Sequence, residues 1–193
     1  LTPGDLKWLE RVLGELQEDV TVVYFTQTAN CRHCRQEREL LLQLVDLSHR
    51  LHLDVYNFTA DHDVADEYGI DKVPAFVLRS EKNYGVRYYG MPSDFEFKAL
   101  LEDILRVSSG DSGLSPEVRQ TLRDLKGSVH LEVLTTSSCA LSASAVRFAH
   151  QMAVESQRVT ADLVNLDDFP ELVDRYDVRA APTVVVNGSR TFY

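Results

Sequence analysis

The sequence predicts an α/β protein in which one set of elements is used twice. Three observations carry this reading. A β-branched and aromatic strand, Val20-Thr21-Val22-Val23-Tyr24-Phe25, runs into Cys31-Arg32-His33-Cys34 at the start of an amphipathic stretch. After Ser108-Ser109-Gly110-Asp111-Ser112-Gly113 the same order restarts. Matching positions then keep a constant offset of 108 residues, so that Cys31 falls on Cys139, Tyr68 on Tyr176, and Val73-Pro74 on Ala181-Pro182.

The elements follow in order. Thr2-Pro3-Gly4-Asp5 marks the start of a helix carrying Leu6, Leu9, Val12, Leu13 and Leu16, with Thr2 as its cap. After the first strand, Gln36 to Leu47 places Leu40, Leu41, Leu44, Val45 and Leu47 on one stripe, so the cysteine pair opens a helix. Leu51 to Phe58 reads as a second strand, and Asp61 caps a short helix ending at Tyr68. Ala75 to Leu78 and Gly85 to Gly90 form a hairpin, and Ser93 caps a helix through Val107.

The segment 108–113 is read as a flexible linker between domains at 1–109 and 114–193. Beyond it, a helix opens at Ser115-Pro116-Glu117, Val129 to Leu134 is a strand, and a helix runs from about Cys139 to Glu155. Val159 to Leu166 is a strand, Asp168 to Tyr176 a short helix, and Pro182 to Val186 a strand closing on the turn Asn187-Gly188. The second set lacks a closing helix, so a longer natural chain is expected.

Composition bounds the function classes. The 30 acidic against 20 basic residues give a formal charge of −10, which argues against nucleic acid or an acidic membrane surface as partner. No apolar stretch of ~18 residues is present, so no membrane-spanning helix is expected. Three cysteines make no structural disulfide framework, and a Cys-x-x-Cys in such a chain points to redox or metal chemistry in a reducing, cytoplasmic compartment. Zinc at Cys31 and Cys34 would need two further ligands, and no His or Cys pair has the spacing. No cofactor beyond the redox-active cysteine pair is expected.

Strand, Cys-x-x-Cys, and a Val-Pro or Ala-Pro about forty residues later resemble the thioredoxin fold, in both halves. The pattern implies two tandem thioredoxin-like domains, each a central mixed β-sheet flanked by helices. A tandem pair of this kind is similar to the glutaredoxin-like protein disulfide oxidoreductases, with protein disulfide isomerase and the N-terminal part of the alkyl hydroperoxide reductase flavoprotein as relatives. The resemblance implies thiol–disulfide oxidoreductase activity, with Cys31 attacking and Cys34 resolving a mixed disulfide. It also implies cis prolines at Pro74 and Pro182, with Val73 and Pro74 binding the substrate strand. Arg32 and His33 would favour the Cys31 thiolate and raise the potential above the roughly −270 mV of thioredoxin.

At Cys139-Ala140-Leu141-Ser142 the resolving position holds a hydroxyl, so Cys139, Ser142, Ala181 and Pro182 read as a degenerate second site. Expected partners are protein disulfides or dithiols, with a thioredoxin reductase-like flavoprotein or glutathione for recycling. Two alternatives stay open: a thioredoxin-like binding module, and an electron-relay module serving a flavoprotein reductase or peroxidase system. No carboxylate lies inside the first strand, which leaves the proton route to Cys34 open between water and a side chain such as Asp61.

Overall fold

The computed structural model describes residues 3–92 and 94–192. The expected caps Thr2 and Ser93 lie outside these residues. The elements run α1 (Pro3–Leu13), β1 (Val20–Thr26), α2 (Cys34–Val45), β2 (Leu51–Asn57), α3 (His62–Tyr68), β3 (Ala75–Arg79), β4 (Asn83–Tyr89) and α4 (Asp94–Ser109). They continue with α5 (Pro116–Arg123), β5 (Val129–Thr135), α6 (Ser142–Glu155), β6 (Val159–Asn165), α7 (Glu171–Arg175), β7 (Thr183–Val186) and β8 (Arg190–Phe192).

The strands form one sheet in the order β2-β1-β3-β4-β6-β5-β7-β8. This corrects the expectation of a separate central sheet in each half. β4 pairs with β6 in parallel, Val86 to Tyr89 against Ala161 to Val164, so each half covers what would otherwise be an open edge of the other. The order β2-β1-β3-β4 recurs as β6-β5-β7-β8. Strands β1, β2, β4, β6 and β5 run in one direction, while β3 and β7 run against their neighbours. The chain therefore leaves β1 and β5 at the same end of the sheet.

Alternation along the strands builds a layer of packing on each face. Val22, Tyr24, Phe76, Leu78, Val86, Tyr88, Val133 and Leu163 are buried with the apolar sides of α1, α2, α4 and α6. Val23, Phe25, Ala75, Val77, Tyr89, Val164 and Val185 are buried on the other face with residues of α3 and α7. Completely burying one such side chain stabilises the fold by ~1.5–3 kcal/mol.

The segment read as a flexible linker is ordered, which is a second correction. Helix α4 runs on through Ser109, and buried Ser108 accepts from the backbone N–H groups of Gln17 and Glu18 at 2.9 Å each. Its hydroxyl donates to the Glu18 carbonyl at 2.7 Å. Buried Ser112 donates to Glu155 at 2.6 Å. Serine hydroxyls satisfied in this way fix the backbone they sit on, which composition alone does not reveal.

Three element ends also shift. The helices after the cysteine motifs begin at Cys34 and Ser142, so Cys31 and Cys139 sit in the loops before them. Helix α7 begins at Glu171 rather than Asp168. Asp61 occupies the N-cap position of α3, but its carboxylate makes no cap bond there and accepts from the Asn57 N–H at 2.7 Å. Ser115 does cap α5, accepting from the Val118 N–H. At the last turn Asn187 and Gly188 have φ of 51° and 66°, the left-handed values such a turn needs.

Candidate active site

The first site is assembled where β1 ends. Cys31 and Cys34 are closed as a disulfide with Cα atoms 5.6 Å apart. Cys31 is partly exposed in the loop, and Cys34, 5% exposed, opens α2. The Tyr24 hydroxyl, rising from β1, donates to the Cys34 carbonyl at 2.7 Å. Burial pushes the Tyr24 phenol up, so it keeps its proton and remains a donor.

The Val73-Pro74 bond is cis and precedes β3, whose Ala75 pairs with Phe25 near the end of β1. The Ala181-Pro182 bond is also cis and precedes β7, whose Thr183 pairs with Leu134 near the end of β5. Both prolines thus stand at the sheet end from which the cysteine loops depart.

Two residues near the dithiol escaped the sequence reading. Glu37 lies in the first turn of α2, three residues after Cys34 and so on the same helix face. It is 0% exposed, and neither carboxylate oxygen meets a hydrogen-bond partner among the described residues. Burial pushes its carboxyl well above the ordinary range, and the charge of Asp168 adds to this. Glu37 falls on the buried stripe of α2 with Cys34, Leu41 and Leu44, a spacing present in the sequence. Its place one turn after Cys34 was the available clue.

Asp168, from the loop after β6, pairs with the Nδ1 atom of His33. Its second oxygen accepts from the Met91 N–H at 3.0 Å, and Asn165 donates to the Met91 carbonyl at 3.1 Å. The imidazole between the cysteines is therefore held by a carboxylate more than a hundred residues away. Gly90 makes this approach workable: at its φ of 87°, a Cβ would lie 2.7 Å from an Asp168 carboxylate oxygen and 2.9 Å from the Asn165 Cβ. Arg32 is exposed. Asp167 accepts from the Ser137 N–H and hydroxyl at 3.1 and 2.6 Å. Those bonds, with the charges of Arg32 and His33, hold its carboxyl below the usual carboxylate range.

At the second site Cys139 is partly exposed and its Sγ donates to the Ala181 carbonyl at 3.1 Å. Ser142 is 0% exposed, and its hydroxyl meets no hydrogen-bond partner among the described residues. The Ser142 hydroxyl beside the sulfur, helped by the Ser142 and Leu141 backbone amides, holds the Cys139 thiol below its ordinary pKa against partial burial and the charge of Glu96. Among the described residues no group of three or more His, Cys, Asp or Glu side chains is set to hold a metal ion. No helix among them is long and apolar enough to cross a membrane.

Comparison with known proteins agrees with this geometry. The thioredoxin domain family model matches residues 129–193. The F-subunit of alkyl hydroperoxide reductase in Staphylococcus aureus is 28% identical over 190 residues, covering 96% of this chain and 34% of the relative. The chain thus spans about a third of the length of the curated relatives it matches. A protein disulfide oxidoreductase from Aeropyrum pernix superposes with a TM-score of 0.90 at 29% identity, over 97% of this chain and 84% of that one. The N-terminal domain of alkylhydroperoxide reductase AhpF from Enterococcus faecalis superposes with a TM-score of 0.91 over 100% of this chain and 93% of that one, and at 20% identity this shows the fold alone. The disulfide at the end of β1 and the fold that presents it are thus similar to what thioredoxin-domain proteins and a protein disulfide oxidoreductase show.

Proposed function

We propose that this chain is a tandem pair of thioredoxin-like domains, 1–109 and 114–193, that exchanges disulfides with protein substrates through the first domain. In this reading the Cys31 thiolate attacks a substrate disulfide, forming a mixed disulfide and releasing one substrate thiolate. The Cys34 thiolate then attacks Cys31, restoring the Cys31–Cys34 bond and releasing the second substrate thiol. The substrate ends reduced and the protein oxidised. In the opposite direction a dithiol is oxidised. The observation that carries the reading is the Cys31–Cys34 disulfide at the sheet end where cis-Pro74 stands. Val73 and Pro74 bind the extended substrate backbone there.

Glu37 takes the proton of Cys34 as it becomes a nucleophile. The support is its complete burial on the Cys34 face of α2, beside the Tyr24 hydroxyl. A carboxyl with its pKa raised by burial is matched to thiol chemistry better than an ordinary one. This replaces Asp61, whose carboxylate is engaged by Asn57. His33 and Arg32 tune the Cys31 thiolate, with His33 held in place by Asp168. Cys139, Ser142, Ala181 and Pro182 complete no dithiol cycle, because a hydroxyl cannot resolve a mixed disulfide. We place the protein in the cytoplasm with no cofactor beyond its cysteines, recycled by glutathione or a thioredoxin reductase-like flavoprotein. A second reading, an electron-relay module for a flavoprotein or peroxidase system, is favoured by the names and greater lengths of the curated relatives.

Trapping tests the assignment of roles. Incubated with a disulfide-bonded protein, Cys34→Ser accumulates a covalent adduct through Cys31, and Cys31→Ser in the same assay does not. An adduct that survives Cys31→Ser would sink the assignment.

A further inference from the structure

The first cysteine loop is not completed by its own half. The imidazole of His33, between Cys31 and Cys34, is held at Nδ1 by the Asp168 carboxylate, 135 residues further along the chain. A carboxylate only accepts, so Nδ1 carries the hydrogen of that bond and Nε2 is the nitrogen left to take up or release a proton. The His33 side chain is 26% exposed and that of Asp168 3%, so a substrate can reach the ring and not the carboxylate.

Asp168 is itself fixed from several sides. Its second oxygen accepts from the Met91 N–H at 3.0 Å, and its own N–H donates to the Asn165 carbonyl at 3.1 Å. The Asn165 side chain accepts from the Asp167 N–H at 2.9 Å and donates to the Met91 carbonyl at 3.1 Å. The neighbouring Asp167 is taken up by Ser137, which leaves His33 to Asp168. Gly90 gives the carboxylate its room, since a Cβ there would lie 2.7 Å from an Asp168 oxygen. A group held this rigidly orients its partner before the reaction begins. The 108-residue offset sets Leu141 at the place of His33 and Ala60 at that of Asp168, so each half holds one member of the pair and the arrangement occurs once.

We propose that Asp168 completes the first site across the two halves, positioning His33 so that Nε2 carries the proton between Cys31 and the sulfur that leaves the substrate. The step rests on the disulfide exchange proposed for Cys31 and Cys34 and specifies where its proton goes. Nε2 takes the proton of the Cys31 thiol, and the thiolate attacks a substrate disulfide. The bond between Cys31 Sγ and one substrate sulfur forms, and the substrate S–S bond breaks with its electron pair going to the other sulfur. That sulfur takes the proton from Nε2, and the imidazole returns to its starting state. Sulfur oxidation is only exchanged, so no other oxidant is required. Glu37, fully buried on the Cys34 side of α2, serves the resolving thiol instead. Arg32 beside the ring offers charge but no proton it can give up.

The test uses the full chain carrying Cys34→Ser and Cys139→Ser, so that Cys31 is the only thiol and its adduct stays. Two probes deliver the same neutral cysteine peptide. One is its symmetric disulfide, whose leaving thiol has an ordinary cysteine pKa of about 8.5. The other is its mixed disulfide with para-nitrothiophenol, an acidic thiol that leaves without needing a proton. Both give the same Cys31 adduct by intact mass, so the ratio of the two rates isolates the proton given to the leaving sulfur. Asp168→Asn, which keeps an acceptor for the Met91 N–H, and His33→Gln should each lower the rate on the symmetric disulfide relative to the activated one by about tenfold or more. Asp168→Glu should recover part of the loss. Gly90→Ala, whose methyl displaces the carboxylate, should lower the ratio as Asp168→Asn does, with no further loss when the two are combined. Circular dichroism melts confirm that each variant is read folded. A ratio unchanged by Asp168→Asn and Gly90→Ala, or lowered by His33→Gln alone, would overturn the proposal and leave the exchange at Cys31 standing. No Cys31 adduct from either probe would overturn the exchange itself.

Discussion

At the scale of single residues, the proposed proton path rests on a buried carboxyl, Glu37, and the buried Cys34 sulfur sharing one helix turn. Glu37 has a folded-state pKa above its unfolded value, so the native chain binds more protons than the unfolded chain between the two. Stability therefore falls as pH rises from about 4.3 through the folded-state pKa of Glu37. Denaturant melts of Glu37→Gln should lose that decline and show the variant more stable than wild type at neutral pH, by ~1.4 kcal/mol for every tenfold by which folding raises the carboxylate's proton affinity. The same variant should release substrate from the Cys31 mixed disulfide about tenfold or more slowly, because the amide cannot take the Cys34 proton. Equal stability curves would place Glu37 in water, and equal release rates would remove it from the proton path.

Among the elements, the join between β4 and β6 concentrates the charged groups. Arg87 on β4 donates to Asp162 on β6 at 2.6 and 3.1 Å, and His130 on β5 meets the same carboxylate at 2.6 Å. Burial alone would raise the Asp162 carboxyl, but the His130 hydrogen bond and the Arg87 charge overcome it and lower the pKa. The His130 imidazole is raised by its bond to Asp162 against partial burial. The Asp162 contribution is present above its unfolded pKa of about 3.9 and fades as pH falls through the lowered folded value. The His130 contribution is complete below about 6.5 and fades as pH rises through the raised value. The join is thus strongest between about pH 4 and 6.5. Asp162→Asn leaves Arg87 buried with half its partner and should cost ~3–5 kcal/mol at pH 6. For a chain of this length that lowers Tm by about 2–4 °C per kcal/mol in a thermal melt. An unchanged melt would show that the charge cluster does not hold the halves together.

In the molecule as a whole, strand runs, the cysteine motif and the offset of 108 residues made the element order legible in the sequence, and the family resemblance they carry implied both cis prolines. What joins the halves was not legible. The pairing of β4 with β6 is a contact between two edges, and Val86 to Tyr89 read the same in an exposed edge strand as in a central one. Ser108 and Ser112 carry the composition of a linker, and only their long-range hydrogen bonds show a packed joint. Asp168 depends on three-dimensional neighbours, since it reaches the first site from the second half, whereas Glu37 lies on the helical stripe of Cys34, Leu41 and Leu44 that the sequence contains.

The central claim is that one dithiol, Cys31–Cys34, carries the turnover of this two-part molecule. Reduction of insulin by dithiothreitol, followed as the turbidity of the released chain, tests it most directly. Wild type is expected to accelerate precipitation, and Cys31→Ser, with Cys139 still present, to fall to the uncatalysed rate. A Cys31→Ser protein that turns over insulin like wild type would contradict it.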